Sequence, residues 1–95
     1  MIILGLVESI RDEFKNDFVA TYGEIFDVIR DGKTSHQLDG IVENNQLIRL
    51  YHDADIQEND ILKCRMADNT FIVQQIEPEM IEDECVTQVV IYRKK

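Results

Sequence analysis

The sequence predicts an α+β fold: an N-terminal amphipathic helix followed by a small, mostly antiparallel β-barrel or curled sheet. Three observations carry that prediction. Apolar residues near the N-terminus recur at three- and four-residue steps, the spacing of one helix face. From Gln46 onward, short runs rich in Ile, Val and Leu alternate with tight polar segments, the rhythm of a curled antiparallel sheet. Aromatic residues make up only 7% of the chain and Trp is absent, so the core must be mainly aliphatic, which suits strands. Ninety-five residues make one domain, 1–95, with a helix over 1–18 and a β-barrel over 22–92.

The helix rests on Ile3, Leu6, Val7, Ile10 and Phe14, with Glu8, Arg11, Asp12 and Lys15 on the other side. Glu8 with Asp12, and Arg11 with Lys15, are like-charge pairs at helical spacing. Such a helix gains little from its own ion pairs and needs a docking surface, most simply its own sheet. From Tyr22 the pattern changes to strand, with Phe26 and Val28 alternating against Asp27 while Ile25 and Ile29 are also apolar, as in a strand covered on both faces. Asp31-Gly32 has the chemistry of a type I′ turn, where both central residues take positive φ. Lys33 to Gln37 then pairs back as a polar arm. Asp39-Gly40 marks a second turn before Ile41-Val42, and Glu43-Asn44-Asn45 closes that unit.

Gln46 to Tyr51 reads as a strand with Ile48 and Leu50 facing the core. His52 to Asp60 is an acidic loop without Gly or Pro, pinned to the barrel end by the lone apolar Ile56. The following strand places Leu62, Cys64 and Met66 on one face, and Ala67-Asp68-Asn69 turns the chain. On the returning strand Ile72 and Ile76 share one side, Phe71 and Val73 the other. Pro78, which cannot donate to a ladder, ends it. Glu77 to Glu84, five acids around Met80 and Ile81, reads as an exposed loop. The last strand, Cys85 to Tyr92, is apolar on nearly both faces and should be central. Arg93-Lys94-Lys95 forms a basic tail.

Charge narrows the function classes. The net charge of −9 repels phosphate backbones and anionic membrane surfaces and reads first as a solvated acidic coat, with docking to a basic partner as the alternative. The apolar start, MIILGLVES, lacks a basic leader and stops at Glu8, so it reads as neither signal peptide nor membrane span, and the chain as intracellular at synthesis. Cys64 and Cys85 sit among apolar neighbours without zinc-site spacing, as buried thiols rather than a disulfide.

No glycine-rich phosphate loop, Ser-His-Asp set or Cys-His pair is suggested by spacing, and His36 and His52 fall in polar loops. No catalytic residue, cofactor or metal ligand is assigned. Asp53, Asp55, Glu58 and Asp60 alternate in a loop, as hard cations require of oxygen ligands, yet the glycine and spacing of an EF-hand loop are missing. These four read as an acidic solvated turn, and the run holding Glu79, Glu82, Asp83 and Glu84 is weaker still as a metal site, because Met80 and Ile81 interrupt it.

The phrase D-x-x-I-Q-E-N-D-I-L-K-C, followed by D-N-T-F-I-V-Q-Q-I-E-P and V-T-Q-V-V-I-Y, resembles small tailed-bacteriophage neck proteins of the head-closure, or head–tail joining, kind. The resemblance covers residues 46–92 and rests on Ile56, Asp60, Phe71, Val73 and Ile76. The N-terminal helix is an addition to the leanest of these barrels. The resemblance implies a non-enzymatic structural adaptor at the virion neck, held in the bacterial cytoplasm before assembly. Its implied partners are portal or adaptor and tail proteins, with a homo-oligomeric ring on assembly. The resemblance implies that the loops at 33–37, 52–60 and 77–84 reach neighbours or gate the DNA channel, with Asp53, Asp55, Glu58, Asp60, Glu79, Glu82, Asp83 and Glu84 as the partner contacts. An acidic lining would keep packaged DNA off the wall.

A second expectation comes from charge alone: an acidic regulatory protein that covers a basic surface of a nucleic-acid-binding protein. Lys33, Arg49, Lys63 and Arg65 interrupt its acidic faces. A metal-binding or enzymatic module is the third and weakest.

Overall fold

Helix α1 covers Ile2–Glu13 and continues through a π-helical segment, Phe14–Val19, into a last turn α2, Ala20–Tyr22. The computed structural model describes residues 2–44 and 46–94. The side chain of Ile3, and Asn45 and Lys95, assigned from sequence to the helix stripe, a turn and the basic tail, lie outside the described residues. Val7 and Phe14 are buried and Ile10 half-buried, as the stripe predicts, whereas Leu6 stands off it at 51% exposure. Helical structure thus runs past the expected end near residue 18. The Gly23 N–H donates to the Val19 carbonyl at 2.8 Å and closes the last turn before the chain extends.

Six strands follow: β1 Glu24–Arg30, β2 Lys33–Val42, β3 Leu47–Tyr51, β4 Ile61–Cys64, β5 Thr70–Ile81 and β6 Glu84–Lys94. They close into a barrel in the order β1-β2-β3-β6-β5-β4, every pairing antiparallel. Inward residues follow the two-residue period of a strand. Phe26, Val28, Ile48, Leu50, Leu62, Val73 and Val90 are fully buried, and Phe71 packs edge-on against Phe26 and Tyr92. Each such side chain contributes about 1.5–3 kcal/mol when removed from water. The β6 strand lies between β3 and β5, as every strand of a closed ring lies between two others. Asp31 and Gly32 have φ of 54° and 78°, the left-handed pair that a two-residue hairpin needs. Asn44 Oδ1 accepts from the N–H groups of Gln46 and Leu47 and shapes the β2–β3 turn.

Several local expectations are corrected. Asp39-Gly40 is not a turn, because β2 runs straight through it. A Cβ at Gly40 would lie 2.6 Å from Leu50 Cδ2 and 3.0 Å from the Arg49 carbonyl, so the glycine makes room for its register partner Leu50 on the neighbouring strand β3. Pro78 does not end its strand, and Glu77–Glu84 is not a loop: β5 and β6 stay paired to Ile81↔Glu84, with Pro78 opposite Gln88. From Gln75 onward β5 pairs only with β6, and an edge strand tolerates a residue with no N–H to give. A bulge between Val73 and Gln75 moves Ile76 onto the core side, opposite Val90 and away from Ile72. Met66 lies past the end of β4 at 85% exposure rather than on the face of Leu62 and Cys64. The outer face of β1 is only partly covered, with Ile25 at 38% exposure, and His36 lies within strand β2, half-buried. Cys64 and Cys85 are free thiols, Cys64 buried and Cys85 half-buried.

The helix docks on its own barrel, against the outer side of β6. Arg11 fixes it there: Nε and Nη2 both donate to the Cys85 carbonyl, at 2.9 and 2.6 Å, beside Glu84. Cys85 neighbours Val86, the residue skipped where the β5–β6 register shifts between Glu79↔Thr87 and Met80↔Cys85. Lys15 lies 5.4 Å from the Tyr51 ring centroid and ties the helix to β3 as well. No helix among the described residues is long and apolar enough to cross a membrane.

Candidate interaction surface

Two acidic segments emerge at one end of the barrel, and the strand order explains why. In the closed ring β3 and β4 stand opposite each other, so the loop joining them, 52–60, must cross the barrel mouth. A crossing segment needs an apolar anchor over the core. Ile56 supplies it and belongs to the core cluster at 9% exposure. The chain here also satisfies its polar groups from the barrel rim. Gln88 Nε2 donates to the carbonyls of His52 and Ala54, at 3.0 and 2.9 Å. His36 Nε2 lies 2.7 Å from the Asp55 carbonyl, so that nitrogen carries the proton. Asn59, with φ of 73°, donates its N–H to the Val73 carbonyl at 2.8 Å.

The acids of this loop divide into two kinds. Asp53, Asp55 and Glu58 are exposed. Asp60 is not: its side chain is 3% exposed and points into the loop's base. There it accepts from Arg30 Nε at 3.0 Å, Arg30 Nη2 at 2.8 Å and the Gln57 N–H at 2.9 Å. Burial alone would push its carboxyl up. The hydrogen bonds from Arg30 and from the Gln57 N–H outweigh that and hold it below the usual carboxylate range. Asp60 thus stabilises the loop from within and leaves the exposed contact set. Arg30 also donates to Asp55 Oδ1 at 3.2 Å, which restrains that carboxylate while leaving it 65% exposed.

The second segment is the end of the β5–β6 hairpin. Thr87 pairs with both Tyr51 and Glu79, so Glu79 lies level with the last residue of β3. The hairpin continues past that level by three residues, roughly 10 Å at strand rise, to the turn Glu82-Asp83. Glu82, Asp83 and Glu84 are exposed at this tip, and Glu82 holds a φ of 55°. Glu79 instead lies on the flank, where it accepts from Thr87 Oγ1 and pairs with Arg49. Loop and tip belong to the same end of the barrel, the tip standing further out.

Two clefts flank the helix. One, of about 530 Å³, lies between the helix, β1, β2 and the start of the loop, with Lys15, Ile25, Leu38, Tyr51 and Asp53 among its walls. The other, of about 360 Å³, lies between the helix and the outer face of β2, β3 and β6. Sequence reading missed this second groove because it placed Tyr22 in a strand. The four-residue steps Phe14, Phe18, Tyr22 were the available signal that the helix continues. Among the described residues no three His, Cys, Asp or Glu side chains converge as metal ligands. The surface offers negative charge on two projections, the loop held at its base by Asp60 and Ile56 and the hairpin tip standing beyond it. Compared with protein-family models, curated proteins and solved structures, the chain shows no match.

Proposed function

We propose that this chain is a structural protein of a tailed phage or prophage, an adaptor at the head–tail junction that acts by protein–protein contact rather than catalysis. The observation that carries the reading is the pair of acidic projections at one barrel end: a loop anchored by Ile56 and Asp60, and a hairpin tip standing beyond it. A closed barrel has few free strand edges, so its contacts with neighbours are made by what protrudes. The resemblance over residues 46–92 supports the same reading. Portal or adaptor and tail proteins are the proposed partners, with a homo-oligomeric ring formed on assembly at the virion neck and the free chain in the bacterial cytoplasm. The contact set is Asp53, Asp55, Glu58, Glu82, Asp83 and Glu84, with Glu79 on the flank.

The exposed carboxylates at one end also favour a second reading, an acidic regulator that covers a basic surface of a nucleic-acid-binding protein. Capture of the tagged protein from its native bacterial lysate, with and without phage induction, separates the two. Recovery of portal, adaptor or tail proteins after induction supports the neck reading, and recovery of a polymerase, nuclease or repressor supports the regulator. Deletion of the 82–84 tip should leave unjoined heads and tails. Complete virions from that deletion would sink the neck assignment.

A further inference from the structure

The groove between the helix and the outer face of β2, β3 and β6 is walled by Ile10, Phe14, Phe18 and Tyr22 on one side and by Ile41 and Val86 on the other. The described residues leave it open. Phe18 is 44% exposed and Tyr22 68%, two aromatic residues on the wall of one groove that folding leaves in contact with water. The π-helical segment Phe14–Val19 forms part of this wall, and such widened turns are frequent at functional positions.

The polar groups of the groove set the sign of what fits. Its lining holds one guanidinium, Arg49, against three carboxylates, Glu13, Glu43 and Glu79. Arg49 is already committed, since Nε donates to Glu43 Oε1 at 2.6 Å and Nη1 faces Glu79. Among the described residues Glu13 has no cationic partner at salt-bridge distance. The groove therefore presents an apolar floor with excess negative charge at its rim. A second copy of this chain, also at −9, is a poor electrostatic match.

We infer that this groove is a docking site for an amphipathic segment of another protein, one carrying apolar side chains on the inner face and Lys or Arg on its flanks. A segment of this kind inserts its apolar residues between Phe18, Tyr22 and Val86 and sets its cations against Glu13 and Glu43. The inference does not rest on the virion reading. The groove lies beside the helix and reaches the hairpin flank at Glu79 and Val86, short of the tip at Glu82-Asp83, and its chemistry is the same whatever complex the chain joins.

The test is a titration of the isotope-labelled full chain with a synthetic amphipathic Leu/Lys helix peptide, followed by backbone amide NMR shifts. A peptide of identical composition with its leucines scattered around the helix serves as comparison. Shifts confined to Ile10–Tyr22, Ile41, Glu43 and Val86 are expected, with tighter binding of the amphipathic peptide. The double variant Phe18→Ala/Tyr22→Ala should bind roughly tenfold more weakly or worse, as loss of an aromatic anchor does. Glu13→Lys, which keeps both rings, should also weaken binding. Equal affinity for the two peptides, or shifts centred on Asp53–Glu58 and Glu82–Glu84, would reduce the binding to charge and overturn the proposal. So would groove shifts that appear with protein concentration alone, which would make the occupant a second copy.

Discussion

Arg30 grips the buried carboxylate of Asp60 with two hydrogen bonds, Nε to Oδ1 at 3.0 Å and Nη2 to Oδ2 at 2.8 Å. The pair joins the end of β1 to the base of the loop that crosses the barrel mouth, and the loop's exposed acids take their positions from it. Asp60→Asn keeps the shape but gives up the charged acceptor. The expected loss is about 2 kcal/mol, the range for hydrogen bonds to a charged group. For a domain of this size that lowers Tm by about 10 °C, readable by thermal circular dichroism. An unchanged Tm would show that the loop is held without the pair.

The same pair makes stability depend on pH with a defined sign. The Asp60 carboxyl sits below its ordinary range when folded, so between the two values the unfolded chain binds more protons. Its contribution is complete above about pH 4, the unfolded value, and is lost as pH falls through the lower folded value. Urea midpoints of wild type and Asp60→Asn should therefore differ at about pH 6 and converge as pH falls below the usual carboxylate range. A constant difference across that range would contradict the assignment.

Ile56 is the apolar anchor of the loop. Ile56→Ala should cost about 2–4 kcal/mol, since the barrel mouth cannot collapse to fill the space. Amide exchange should quicken first in residues 53–58, before the strands respond.

Gly40→Ala introduces a methyl group 2.6 Å from Leu50 Cδ2 and 3.0 Å from the Arg49 carbonyl. Overpacking of this kind typically costs about 1–3 kcal/mol. Gly5→Ala, where a Cβ meets open space, is the matched control and should be neutral or stabilising. Chemical unfolding of the two variants gives the comparison directly.

Arg11 closes its fork on the Cys85 carbonyl while its side chain is 17% exposed. Arg11→Ala should destabilise by about 1.5 kcal/mol. Amide exchange should rise along α1 more than in β1 or β4, because the lost bond joins the helix to the hairpin and not to the far side of the barrel.

Elements governed by neighbouring residues are legible in the chain itself. The Asp31-Gly32 turn, the inward pair Ile48 and Leu50 and the Ile56 anchor follow from turn chemistry and alternation, which act over a few residues. Positions governed by distant partners are not. Gly40 and Pro78 carry the usual marks of a turn and a strand end. The first is instead fixed by Leu50, paired with it on the adjacent strand β3, and the second is permitted by an edge where β5 has only one neighbour. Ile76 changes sides because of a bulge that no alternation pattern contains.

The candidate site divides in the same way. That the segments 52–60 and 77–84 are acidic is a property of the sequence alone. That Asp60 turns inward to Arg30 while Asp53, Asp55 and Glu58 face solvent was decided by the closed strand order. With β3 opposite β4, the loop must pass over the core, and a carboxylate buried at its base requires a charged partner from β1. The helix, the strand-rich remainder and the net charge are legible in the chain, because they depend on composition and local period. Which carboxylates are presented, and the aromatic groove beside the helix, depend on residues brought together by closure of the barrel.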